Sequence, residues 1–178
     1  MGHHRDQLVQ LLRETPGDPS LRELIHQVER EQPADLSSSA GLLQGVWELR
    51  WSSSQQPWLK HTAGLDNLQI LDPQRGRGCN LLRLRPPFAA LGGISLQAEL
   101  QITGSKRVDV RFQRGGWLGP SLPNHQQLSL MRRVQQSTPA WLDITVLDEQ
   151  LRVCRGNAGT TFALLRRNDL NLSDLLGG

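Results

Sequence analysis

The chain has 178 residues, 37% of them hydrophobic and 21% charged, with a formal net charge of +3. That is one domain with enough apolar material for a real core, which excludes a disordered chain. Its two cysteines lack CxxC spacing, which excludes a disulfide framework and a paired-cysteine metal site and points to a reducing compartment such as the cytoplasm. No run approaches the roughly 20 apolar residues of a membrane-spanning helix.

Charge divides the chain. Residues 1–36 carry 4 basic and 7 acidic side chains, whereas residues 37–167 carry 16 and 8. An acidic front segment thus precedes a basic body suited to anionic headgroups, an acidic partner or the chain's own first helices. The expected division is a helical segment over 1–36, a β-barrel over 37–167 and a tail over 168–178.

Leu8, Leu11 and Leu12 stand at helical spacing over residues 5–15, and Pro16-Gly17 stops them. A second helix is predicted from a cap at Asp18, Pro19 in the first turn and Glu23 three residues after Ser20, as in a capping box. Leu21, Leu24, Ile25 and Val28 then form one apolar stripe, and Pro33 ends it. Isolated helices this short are marginal, so the stripe is expected to pack on the body, with a partner protein as the alternative occupant.

Residues 34–43 read as a linker. The next run alternates, and places Trp47, Leu49 and Trp51 on one face, expected to point inward. Gly45 allows close backbone approach where a barrel floor closes. Residues 52–66 read as a loop, with Trp58 as a lid, membrane anchor or plug. Asp72-Pro73 marks a turn, and Pro86-Pro87 closes the strand around Leu82 and Leu84.

Ile94, Leu96, Ala98, Leu100 and Ile102 alternate with polar residues over a long strand, and Val108, Val110 and Phe112 repeat the pattern after Gly104-Ser105-Lys106, predicting a hairpin. Arg114 to His125 reads as a Gly/Pro loop carrying Trp117 as an apolar tip, the composition of a lid. A short strand is expected around Leu128–Leu130. From Trp141 to Arg167, three alternating runs are separated by Asp148-Glu149-Gln150 and Gly156-Asn157-Ala158-Gly159, a three-stranded meander. The whole reads as mainly β, an antiparallel barrel of eight or nine strands behind two short N-terminal helices, with no βαβ alternation.

Two patches carry a resemblance. The run LDITVLDEQLRVCRGNAGTTFALLR and the strand Gly45-Val46-Trp47-Glu48-Leu49-Arg50-Trp51 resemble the plastid-lipid-associated protein family, the plastid fibrillins of chloroplasts and cyanobacteria. The resemblance implies a lipocalin-like barrel that binds lipid or isoprenoid molecules, carotenoids or prenylquinones, at the thylakoid or another photosynthetic membrane. In such a barrel a basic side chain from the last strands, Arg155 or Arg166, is expected against Trp47 as a floor plug, and the positions of the residues themselves make Trp47, Trp51, Trp58, Trp117, Asp143 and Arg155 the expected ligand contacts in the interior or at the rim.

The chemistry visible in the residues is sparse. Asp148, Arg152 and Arg166 read as a structural charge network, because carboxylates at a turn cap backbone amides and guanidiniums pair across a hairpin. His61 and His125 fall in loops without companion ligands, so no metal and no cofactor are expected. HExxH, GxSxG and phosphate-loop motifs are absent, and the strand tryptophans do not interleave with a basic face, which argues against nucleic acid. The leading expectation is non-catalytic lipid binding. The alternatives are a scaffold for a prenylquinone-forming enzyme, docked through Leu24 and Val28, and a chromophore-lyase-like enzyme using Asp143 and Arg155.

Overall fold

A computed structural model describes residues 2–121 and 127–176. Nine antiparallel strands form one sheet: β1 Gly45–Ser52, β2 Leu65–Asp72, β3 Arg77–Leu84, β4 Gly93–Ile102, β5 Arg107–Ser121, β6 Gln127–Arg133, β7 Ala140–Leu147, β8 Leu151–Gly156 and β9 Thr161–Arg166. Their order is β4-β3-β2-β1-β9-β8-β7-β5-β6, and an added pairing of β4 with β5 closes the sheet into a ring. The strand β6 lies outside that ring, on the far half of β5. The predicted mainly β class and the strand count are both found.

The ring has an apolar interior and two covered outer faces. Trp47, Leu49, Val108, Ile144, Cys154, Phe162 and Leu164 pack together inside. Outside, α1 (His3–Glu14) and α2 (Leu21–Glu31) lay Leu8, Leu12, Leu21, Ile25 and Val28 on Val146, Leu151, Val153, Ala163 and Leu165. The stripe read from the sequence is therefore used within the chain. Leu24 and Val28 are buried against it rather than offered to a partner. Burial of this kind is worth about 25 cal/mol per Å² of apolar area, which is what holds helices too short to persist alone.

The ends of the two helices are tied by charge. Arg5 donates from Nε and Nη2 to both carboxylate oxygens of Asp148, each at 2.8 Å, and Arg155 donates from Nε to Glu29 at 3.0 Å. At the start of α2 the backbone and hydroxyl of Ser20 both donate to Asp18 Oδ1, so an aspartate turn takes the place of the expected capping box.

Several expectations fail for one reason, that distant strands supply what the local sequence lacks. Residues 34–43 are no linker. They form α3 (Leu36–Ser39) and a 3-10 turn over Ala40–Leu43, and Ala34, Leu36 and Leu43 are buried as the plug of one end of the ring. Asp35 caps α3, accepting from Ser37 N at 2.9 Å.

The tail folds back. Leu172–Leu176 forms α4, and Leu170, Leu172, Leu175 and Leu176 cover Val46, Leu68, Ile70, Cys79 and Leu81 on the second outer face. The 52–66 loop already holds the start of β2 at Leu65.

As far as Ser121 the Gly/Pro run from Arg114 is strand rather than loop. It continues β5 between β4 and β6, and Trp117 pairs with Ile94 on one side and Leu130 on the other. Glycine is needed there for approach rather than for a turn. At Gly116, with φ +155, an added Cβ would stand 2.0 Å from the Leu130 carbonyl oxygen of β6. The remainder of that predicted loop, His125 included, lies outside the described residues.

Candidate functional site: a cavity above a buried arginine

One end of the ring is sealed by an arginine–tryptophan stack. Trp47 is wholly buried, and its Nε1 donates to the Leu43 carbonyl of the plug at 2.9 Å. The Arg166 guanidinium lies 4.3 Å from the centre of the indole, and that of Arg152 lies 5.1 Å from it. Cations over an indole ring are attracted by its quadrupole, most strongly where water is excluded. Arg166 is held by carbonyls, donating to Glu149 O and Gln44 O at 2.7 Å each and to Leu42 O. The expectation of a basic partner for Trp47 from the last strands is met by Arg166, not by Arg155.

Arg152 is different. It points inward from β8, is completely buried, and donates from Nη2 to Gln69 Oε1, while its Nε and Nη1 have no partner among the described residues. Burial lowers its pKa to about 10, and the neighbouring Arg166 adds to that shift. It keeps its charge at neutral pH, and no ion pair among the described residues offsets the cost of burying it.

Above this end the interior opens into a cavity of about 270 Å³. Leu71, Leu96, Leu100, Val110, Phe112 and Phe162 give it apolar walls, Leu59 caps it, and Gln69 and Asn80 are paired across β2 and β3 on its polar side. Strand alternation carries the same face beyond the cavity: Leu84, Ile94, Trp117 and Leu130 follow on β3 to β6. There the face is in the open. Ile94 is 59% and Leu130 74% exposed, and Trp58, Phe88 and Leu91 are exposed as well.

The residues expected at the ligand are dispersed by the fold. Trp47 is interior, beneath the cavity. Trp117 lies on the apolar rim, and Trp58 is exposed on the 3-10 turn over Pro57–Leu59, its carbonyl accepting from Asn67 at 3.0 Å.

Trp51 does not share the face of Trp47. The register of β1 against β9 shifts between Leu49 and Trp51, which turns Trp51 outward beside Ala163 and under the helices, with the Arg22 guanidinium 5.7 Å from its ring. A bulge of one residue reverses the alternation that the sequence displays.

Asp143 and Arg155 are cross-strand neighbours yet take separate partners on the outer face. Asp143 accepts from Arg107 at 2.8 and 2.9 Å, and Arg155 pairs with Glu29. Neither lines the cavity, so the pair offers no acid or base to a bound molecule. The hydrogen bond and charge of Arg107 hold the Asp143 carboxyl below its usual range. Asp148, Arg152 and Arg166 likewise form no single network: Asp148 anchors α1, and the two arginines flank Trp47.

Two features escaped the sequence reading. Gln69 and Asn80 have no motif, and only the pairing of β2 with β3 puts them together. A second ion cluster lies on the outside, where Glu48 meets Arg50, Arg85 and Arg167 while Asp66 meets Arg83, Arg85 and Arg167. His61 touches this cluster at 3.0 Å from Arg50 Nη1, and burial together with Arg50 and Arg85 lowers its pKa. No group of residues suited to holding a metal occurs among the described residues.

No helix among the described residues is long and apolar enough to cross a membrane. The family model PAP_fibrillin matches residues 13–165. No curated protein matches the chain.

Proposed function

From the premise that the chain belongs to the PAP_fibrillin family, a lipid-associated family, we propose that it is a non-catalytic binder of a hydrophobic lipid or isoprenoid, a prenylquinone or carotenoid, at photosynthetic membranes. The observation that carries this reading is the apolar cavity whose strand face continues along β3 to β6 to an exposed apolar rim. Ligand cavities commonly span about 300–1,000 Å³. A volume of about 270 Å³ suits a ring head or a short length of chain, with the rest of a long isoprenoid lying along Ile94, Trp117 and Leu130. Exposed apolar patches of this kind mark contact surfaces, and a rim of Trp58, Phe88 and Leu91 beside it suits exchange with a lipid phase.

The placement of Asp143 and Arg155 in outward ion pairs favours binding over the lyase-like alternative. Titration with a short-chain prenylquinone, followed by tryptophan fluorescence, tests the reading. Saturable quenching is expected, and Ala98→Trp, which fills the cavity, should abolish it. Quenching that persists in the filled variant, or none at all in the wild type, overturns the proposal.

A further inference from the structure

The polar lining of the cavity is made of Gln69, Asn80, Asn157 and Thr160, and only behind Gln69 does a buried positive charge stand. Gln69 lines the cavity, and its Oε1 is occupied by Arg152 Nη2. An amide whose oxygen is held by a guanidinium has its orientation fixed, leaving its two N–H groups for whatever lies in front. Behind it stands a fully buried guanidinium with Nε and Nη1 unpartnered among the described residues. A buried charge with no counter-ion is costly until an opposite charge comes near.

Resting on the cavity reading above, we propose that the same cavity also takes an amphiphile with an anionic head, a carboxylate, which accepts from Gln69 Nε2 and supplies the counter-charge that Arg152 lacks among the described residues. The tail then runs over Leu71, Leu96, Leu100, Phe112 and Phe162 toward the rim. This orders the head inward and the chain outward, and sets acidic lipids apart from alcohols of the same length. The unpaired guanidinium is the reason for the preference, and Gln69 is the group that touches the head.

Calorimetric titration with decanoate, methyl decanoate and decan-1-ol tests the assignment. Decanoate is expected to bind about tenfold or more tightly than the alcohol, as charge-assisted hydrogen bonds do against neutral ones, with the ester between. In Arg152→Met the ratio of carboxylate to alcohol affinity falls to about one. Gln69→Leu lowers the same ratio and serves if the arginine variant does not fold. Equal binding of all three by the wild type, an ester as tight as the carboxylate, or a ratio that survives both substitutions overturns the head-group assignment while leaving the cavity in use. Failure of all three to bind overturns this inference, while the prenylquinone titration decides the cavity reading separately.

Discussion

A Cβ on Gly45 would stand 2.3 Å from Nη1 of Arg166, so the absence of a side chain at the first residue of β1 is what lets the last residue of β9 reach Trp47. The backbone of Gly45 also has φ +146, outside the range that L side chains adopt readily. Steric and conformational demands coincide at one position. The guanidinium that fills the space ties β9 to the plug through the Leu42 and Gln44 carbonyls and to the β7–β8 turn through that of Glu149.

Gly45→Ala should therefore destabilise the fold by about 2 kcal/mol or more, the sum of backbone strain and a displaced guanidinium. The urea midpoint checks it. Gly17→Ala is the control, since nothing lies within 4 Å of a Cβ there and its φ is not in the positive range; an equal loss at both sites would sink the argument.

Trp47→Ala removes the largest wholly buried side chain and leaves two guanidiniums facing a void. A loss of about 3–5 kcal/mol is expected. Trp51→Ala, on the outer face, should cost clearly less, because its ring is only partly buried. Equilibrium unfolding of the two variants separates the faces that the sequence alone treats as one.

Acid should detach the helices before it opens the ring. Burial by itself would raise the Asp148 and Glu29 carboxyls, but Arg5 with the Gln150 and Leu151 amides, and Arg155 with Thr145, together outweigh it, and both lie below their ordinary values of 3.8 and 4.5. A lowered folded pKa gives stability that is complete above the ordinary value and is lost as pH falls through the folded one. Trp51 sits under α2 with Arg22 over its ring, so its fluorescence should shift to the red as pH falls below about 4 while the buried Trp47 is unchanged. Arg5→Ala should move that transition to higher pH. A single transition shared by both tryptophans would contradict the order.

Cys79 and Cys154 are free and buried, and burial pushes both thiols up. Since the thiolate is the reactive form, neither should be modified by a thiol reagent at neutral pH until the chain unfolds, at which point two equivalents react. Modification of the folded protein at the rate of a free thiol would show that the sheet opens locally.

The sequence by itself determined the class, the strand positions of the meander and of the β4–β5 hairpin, and the apolar stripe of α2. Each is written in a local period, and a window of a few residues suffices to see it. Only the tertiary structure decided which way the residues face once a strand bulges, as between Leu49 and Trp51. Only it could show that a serine-rich stretch is a plug and a glycine-rich one a strand, since burial and close approach are supplied by chain a hundred residues away. The cavity's polar side belongs to the same kind. Gln69, Asn80 and Arg152 are unremarkable apart in sequence, and become a site because strands on two sides of the ring bring an amide and an unpaired charge to one place.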